Sequence, residues 1–224
     1  MRVTVWLFVF LSAAVAITPA HSKNAPAFWI TWSANSYTAP HFTGKALPVN
    51  GSVVTVVFEL IENGQVVNLA SQNVRWFLGT VLIQQGRGMK EFTFKAGGSG
   101  GARLVRVDLP NFRDGATLVK SVQIPVVEPQ VIINAPYVKN AVAPNELVLQ
   151  ALPYYFNVRR ASELLFSWNV NNEAPEGTTS RPENLTVTLP MGIPAKSKVF
   201  IEVEVENINN RKEATRAQAL FTTR

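Results

Sequence analysis

The chain of 224 residues contains no cysteine and only two histidines. Because thiolates and imidazoles are the usual ligands of zinc and related metals, one such chain cannot assemble an ordinary transition-metal site. A Ser-His-Asp triad needs an imidazole beside a serine hydroxyl, but His21 falls in an apolar N-terminal segment and His41 in a loop rich in proline and glycine. The sequence therefore predicts a protein that is not an enzyme, with no catalytic, cofactor-binding or metal site.

Carboxylates are also scarce, since aspartate and glutamate together number 15. Asp108 and Asp114 flank a turn, and Glu173 and Glu176 share a loop. None of them shows the alternating spacing of a calcium-binding loop, and no pair stands out as the acid and base of a glycosidase. The option left open is an adventitious Ca²⁺ between the two halves of the chain, near Glu128.

The formal net charge is +6 at pH 7, and the basic residues are scattered over the chain. A nucleic-acid-binding protein would be expected to carry a basic stripe interleaved with aromatic residues. The pattern argues against nucleic acid as a partner. It is compatible with weak attraction to the anionic polymers of a cell envelope.

The first 22 residues have the order of a secretory signal peptide. Arg2 precedes an apolar stretch, Val3–Ile17, and small residues follow, so that cleavage after Ala20 or after Ser22 is chemically acceptable. The alternative is an uncleaved anchor, but about 15 apolar residues fall short of the roughly 20 that a spanning helix needs. No later run is as long, so we expect an exported mature chain without a membrane span, located outside the cell, on its surface or in the periplasm.

Two short segments, 92 positions apart, read almost as copies of each other. Asn73–Leu78 and Leu165–Val170 are both strand-like, and each has a single tryptophan at its centre, Trp76 or Trp168. A repeat at this spacing predicts two modules of about 100 residues, a size that can bury its own core without disulfides. We predict modules at residues 23–127 and 128–224, joined by a connection that Pro125 and Pro129 stiffen.

Hydrophobic residues alternate with polar ones in both predicted modules. Alternation with a period of two, interrupted by Gly, Pro and Asn turns, is typical of half-buried strands in an antiparallel sandwich. The predicted inward-facing residues of the first module are Val54, Val56, Phe58, Leu60, Val74, Trp76, Leu78, Phe92, Phe94, Val105, Val107 and Leu109. Those of the second are Leu147, Leu149, Ala151, Leu164, Phe166, Trp168, Val170, Leu185, Val187, Leu189, Val199, Ile201, Val203, Val205, Ala217, Ala219 and Phe221.

On these residues the chain resembles the immunoglobulin-like and PKD-like modules of bacterial surface proteins. In those families a strand carries a buried tryptophan that packs across the sandwich, and Trp76 and Trp168 match it. The resemblance implies an all-β fold of two tandem antiparallel immunoglobulin-like β-sandwiches after the signal peptide. Neither Phe77–Gly79 nor Asn169–Asn171 reproduces the aromatic-Gly-Asp-Gly turn of PKD modules, so roles tied to that turn are not carried over.

A second resemblance lies at the start of the first module. The stretch from Trp32 to Tyr37 and the proline-rich loop after it look like uncharacterised secreted proteins of candidate-phylum bacteria. An exported chain without cysteine also fits a bacterial exporter better than a eukaryotic one.

The run Pro153–Phe156 places two tyrosines side by side, Tyr154 and Tyr155. Consecutive residues of a strand point to opposite faces, so we expect at least one ring to be exposed. One interpretation is a packing cluster at the end of a sheet or between the modules. The other is a partner surface formed by Tyr154 or Tyr155, because tyrosine is enriched in interface cores.

Together these observations favour a non-catalytic exported protein of the cell envelope that acts as a spacer, an adhesive or an assembly component. Its partner would be a protein or glycan of the envelope whose identity the residues do not give. Two alternatives remain open: an accessory module that binds glycans or peptides, and a filament subunit that self-associates through exchanged edge strands.

Overall fold

The computed structural model describes residues 26–98, 100–113, 115–142, 146–175, 181–190 and 192–224. The expected signal peptide lies outside these ranges. In the N-terminal half the strands are β1 (Ala27–Ala34), β2 (Tyr37–Thr38), β3 (Val53–Glu62), β4 (Gln65–Val66), β5 (Asn73–Leu78), β6 (Val81–Arg87), β7 (Glu91–Lys95), β8 (Gly101–Phe112) and β9 (Ala116–Val126). In the C-terminal half they are β10 (Gln130–Asn134), β11 (Ala141–Val142), β12 (Glu146–Phe156), β13 (Leu164–Val170), β14 (Asn184–Thr188), β15 (Lys198–Asn207) and β16 (Asn210–Thr223).

Strands dominate the described residues, and the helical elements there are two single 3₁₀ turns, Val138–Asn140 and Ala161–Glu163. None of the described segments forms a helix able to cross a membrane. This is the result that period-two patterning predicts, because alternating residues bury one face of a strand and solvate the other.

Two antiparallel sheets form the first sandwich. In one, β3 pairs with β1 along its length and with β7 and β4 at its two ends. In the other the order is β6-β5-β8-β9. The inward residues predicted from the sequence are buried between these sheets, apart from Leu78, which is partly buried against the same core. Trp76 lies at the centre, with its ring centroid 5.5 Å from those of Phe58 and Phe92.

The second sandwich repeats this plan. One sheet has the order β10-β12-β14, and the other has the order β11-β16-β15-β13. All pairs are antiparallel except β11, a two-residue strand that pairs in parallel with the end of β16. The predicted inward residues of this half are likewise buried, including Trp168, apart from four that are partly buried against the same core: Val170, Val187, Ala217 and Ala219.

The all-β fold of two tandem antiparallel immunoglobulin-like β-sandwiches is thus confirmed. The predicted boundary between residues 127 and 128 falls in the three-residue connection between β9 and β10, and the division of the chain at that point stays a prediction. One strand of the N-terminal half joins the second sandwich: β2 pairs with β12.

Candidate functional site

Each sandwich holds its central tryptophan by the same hydrogen bond. Trp76 Nε1 donates to the carbonyl of Met89, 2.9 Å away and two residues before β7 begins. Trp168 Nε1 donates to the carbonyl of Pro182, 3.0 Å away and two residues before β14 begins. The indole therefore spans the core and fixes the start of a strand in the opposite sheet. A buried indole N–H generally needs such a partner, but the sequence alone does not reveal which carbonyl supplies it.

The segment between β1 and β3, residues 35–52, is here called the strap. It begins in the first sandwich, enters the second at β2, and returns to the first at β3. In the second sandwich Thr38 pairs with Tyr154 and Tyr37 with Phe156. Tyr154 pairs with β10 on one side and with β2 on the other. β2 therefore lies on the same side of β12 as β14, which pairs with an earlier part of that strand.

Hydrogen bonds close the base of the strap at the first sandwich. The Asn35 backbone N–H donates to the Val53 carbonyl over 3.1 Å, and the Asn35 side-chain oxygen accepts from the Val53 N–H over 2.7 Å. Ser36, which is buried, donates its hydroxyl to the Leu47 carbonyl over 2.6 Å. On its return the strap also contacts the connection between the sandwiches, where the N–H of Val127 donates to Pro48.

An aromatic contact anchors the strap on the second sandwich. The ring centroid of Phe42 lies 5.4 Å from that of Tyr154 and 6.1 Å from that of Tyr155, both in edge-to-face arrangements. A β-bulge between Tyr154 and Phe156 makes this double contact possible, because Tyr155 adopts a φ of 62°. A bulge adds one unpaired residue and bends the strand, so successive side chains no longer alternate.

The expectation that Tyr154 and Tyr155 point to opposite faces is therefore wrong. Both are half-buried, and both rings meet the same strap residue. The structure thus places them in a packing contact between the two halves. Their service as a surface for an external partner stays a prediction.

Two further strap residues shape the anchor. Gly44 lies against the Phe42 ring so closely that a Cβ at position 44 would come within 2.4 Å of the ring. Lys45 places its ammonium 3.8 Å from the centre of the Trp32 ring in the first sandwich, a cation–π contact. Partial burial lowers the pKa of Lys45. The strap therefore contacts one sandwich through Lys45 and the other through Phe42.

Tyr37 places its phenol hydroxyl in the contact between the strap and the second sandwich. Burial, together with the charges of Glu183 and Tyr154, raises the pKa of its phenol above the usual 10.0. A cavity of about 120 Å³, lined by Tyr37, Gln150 and Glu183 among others, lies between the start of β14 and the end of β2. The phenol is thus favoured in its neutral form while the strap is docked.

A crevice lies beside the connection between the two sandwiches and contains Glu128. This is the residue near which the sequence left an adventitious Ca²⁺ open. The lining of the crevice includes Asn50, Glu128, Lys212 and Glu213. Both carboxylate oxygens of Glu213 accept hydrogen bonds, one from the backbone of Asn157 and one from the Asn207 side chain, and Lys212 places a cation in the same crevice. Within the described ranges, no group of three or more His, Asp or Glu side chains gathers as metal ligands would.

Away from the strap, a groove of about 290 Å³ lies on the outer side of the first sandwich, over β1 and β3. Its main apolar surface is the indole of Trp29, which is 65% exposed. Glu59, the cross-strand neighbour of Trp29, and Lys90 are also part of the lining. The pattern placed Trp29 in the first strand but did not predict its exposure, although Trp29 shares its face of β1 with Thr31 and Ser33.

No protein-family model matches the chain, and neither does any curated protein sequence. The structure is similar to three N-terminal domains of the bacteriophage RB49 outer capsid protein Hoc, with 12% identity, a TM-score of 0.47 and coverage of 89% of this chain. The chain spans 59% of that fragment. It is also similar to the fibronectin(III)-like modules of Clostridium thermocellum CbhA, with 14% identity, a TM-score of 0.30 and coverage of 86% of this chain and 93% of that one. These values are too low to transfer any role.

Proposed function

We propose that this protein is a non-catalytic, exported spacer or assembly component of a cell envelope, in which two sandwiches act as one stiff unit. The strap is the observation that carries the proposal. A three-residue connection alone leaves several backbone torsions free to rotate. An added strand, an aromatic anchor and a hydrogen bond from Val127 to Pro48 restrict that rotation at three separate places.

The N-terminal pattern supports export, and in an exported chain the lack of cysteine favours a bacterial cell envelope. The proposal is tested by ¹⁵N relaxation of the purified mature chain, together with fractionation of the cells that produce it. A single rotational correlation time for both sandwiches, and recovery from the envelope or the medium, are the expected results. Independent tumbling of the halves would contradict the stiff unit. Turnover of a glycan, peptide or ester substrate that a point change abolishes would contradict the absence of catalysis.

The exposed Trp29 favours a second candidate function, an accessory module that binds glycans. A flat indole can stack on the C–H face of a sugar ring, while the Glu59 carboxylate and the Lys90 ammonium accept from and donate to its hydroxyls. An open groove with one aromatic surface and a few polar groups is a common form of ligand site.

The glycan-binding candidate is tested by titrating tryptophan fluorescence with soluble oligosaccharides of envelope and plant polysaccharides. Binding by the native chain and its loss in Trp29→Ala is the expected result, with Leu82→Ala as an exposed apolar control on the opposite sheet. Equal binding by Trp29→Ala and the native chain would exclude this groove as the sugar site.

A further inference from the structure

The outer face of β5, β6 and β8 carries a contiguous apolar patch. Leu82 is 45% exposed on this face, and Ile83, the bulged residue beside it, is 52% exposed. Phe77 lies opposite Leu82 in the register, and exposed Leu104 lies at the same end of the face, where its carbonyl accepts from the N–H of Gly79 just beyond β5. Single exposed apolar residues are ordinary, whereas a cluster of them generally marks an interaction surface.

Arginines follow this patch along the same face, one in each of three successive cross-strand rows. Arg106 pairs in register with Phe77, Arg75 stands two residues further along β5, and Arg87 pairs with Asn73, two residues beyond that. The Arg106 guanidinium lies 4.0 Å from the centre of the Phe77 ring and 2.9 Å from Asp108. We call this surface the basic face; it runs from apolar residues at one end to positive charge at the other.

The outer face of β15 and β16, in the second sandwich, carries apolar residues beside an excess of the opposite charge. Phe200 and Leu220 lie opposite each other, next to the row of Lys198 and Thr222, and Leu220 is 46% exposed. Glu202, Glu204 and Glu206 follow in the next three rows. Arg216 lies 3.6 Å from Glu202 and 3.4 Å from Glu204, which leaves an excess of negative charge on this acidic face.

The two faces carry opposite excesses of charge next to apolar residues. On the basic face the three arginines stand on three neighbouring strands and Asp108 offsets one of them, whereas on the acidic face the three glutamates follow one another along β15 and Arg216 offsets one of them. We propose that the basic face of one copy binds the acidic face of a second copy. Because the two faces are different surfaces on different sandwiches, the contact is heterologous and adds copies head to tail.

Face-to-face docking fits these residues better than strand addition at the edge of β6. The register of β6 shifts between its pairs Gln84–Trp76 and Leu82–Phe77, which leaves Ile83 as an extra residue. A bulge twists an edge strand away from regular pairing with another chain. The exposed apolar side chains next to the bulge can therefore contact a partner that packs on the face of the sheet, whereas the edge of β6 is poorly suited to backbone hydrogen bonding with another strand.

Charge reversal on each face provides a test with an internal rescue. One variant carries Arg75→Glu and Arg87→Glu, and the other carries Glu204→Arg and Glu206→Arg. Each variant alone presents two faces of like charge, whereas an equal mixture restores opposite charges at every contact. Sedimentation velocity at increasing concentration measures the association of the native chain, of each variant and of the mixture.

The native chain should associate with increasing concentration, and each variant alone should need at least about tenfold more protein to do so. The mixture should recover association. Raising the salt from about 0.1 to about 1 M, which shortens the Debye length from about 10 to about 3 Å, should weaken the native association. Lys95→Glu, on the outer side of the other sheet, serves as the matched control and should behave as the native chain.

A native chain that stays monomeric at the highest concentration would overturn the proposal, as would a mixture no more associated than its separate variants. Thermal melts of each variant by circular dichroism show whether a loss of association reflects unfolding. The spacer role does not depend on this contact, because it rests on the strap within one copy.

Discussion

Phe42→Ala should release the strap from the second sandwich and leave both sandwiches folded. The ring of Phe42 is half-buried and makes edge-to-face contacts with Tyr154 and Tyr155. Burying half of a phenylalanine side chain contributes about 1 kcal/mol, and the two ring contacts add about 0.5–1.5 kcal/mol each. The substitution should therefore lower the free energy of opening the strap by at least about 2 kcal/mol.

Amide hydrogen exchange followed by NMR measures this opening directly. When the strap opens and recloses faster than exchange occurs, a loss of about 2 kcal/mol raises the exchange rate about 30-fold. We expect that increase at the strap residues that pair with β12. Amides of the β3 core, such as those of Val56 and Phe58, should exchange as before, because the first sandwich keeps its own sheets.

Phe77→Ala is the matched control. It also removes a half-buried ring, one that stacks on Arg106 at the surface of the first sandwich, and it leaves the strap in place. Equal exchange of Tyr37 and Thr38 in the native chain and in Phe42→Ala would refute the reasoning. So would equal acceleration in both variants, since the effect would then follow from the loss of any surface ring.

Four further outcomes follow from the contacts described above. Trp76→Ala and Trp168→Ala should each cost about 3–5 kcal/mol in denaturant unfolding of the sandwich concerned, and unchanged stability in either would contradict its central role. A hydrogen bond from Gln218, with Arg216 and Asn169, holds the pKa of Glu202 below its usual 4.5. The stabilisation by the Glu202 carboxylate is therefore present above pH 4.5 and lost as the pH falls through the lower pKa of the folded chain. Glu202→Gln should flatten the acid limb of a profile of urea stability against pH, and an unchanged limb would contradict this role of Glu202. Because the pKa of Tyr37 is raised, its contribution to stability is present below pH 10 and lost as the pH rises through the pKa of the folded chain. Tyr37→Phe should abolish that alkaline loss of stability in thermal melts. A loss of the same size in both chains would show that another group causes it. A protease site inserted between residues 127 and 128 should yield halves that co-elute in native gel filtration, because β2 stays paired with β12, and their separation would show that the strap holds too weakly.

Strand positions and core residues could be read from the sequence because burial imposes a period of two. Val54, Val56, Phe58 and Leu60 share one face while Thr55 and Glu59 fall on the other, and the structure buries all four residues of the first set. The tryptophan repeat could be read for a related reason: each sandwich places one indole at its centre, and the surrounding pattern recurs at a fixed distance along the chain.

The strap could not be predicted in this way. The two residues of β2 are too few to show any period, and the prolines and glycines around them are typical of a loop. Pairing of β2 with β12 joins residues more than 100 positions apart, and no local pattern encodes such a contact. The bulge at Tyr155 is hidden for a similar reason, because it depends on the partner strand and on the ring of Phe42.

The strap also changes where the stiffness of the chain should be sought. The sequence attributes it to Pro125 and Pro129, but each proline fixes only its own φ, and the residues between them remain free to rotate. A strand pair in the second sandwich and a hydrogen bond at Val127 act across the whole connection. Since Tyr154 and Tyr155 supply the aromatic half of this restraint, an external partner that used the same rings would have to displace Phe42. Binding at that surface and stiffness between the sandwiches would therefore oppose each other.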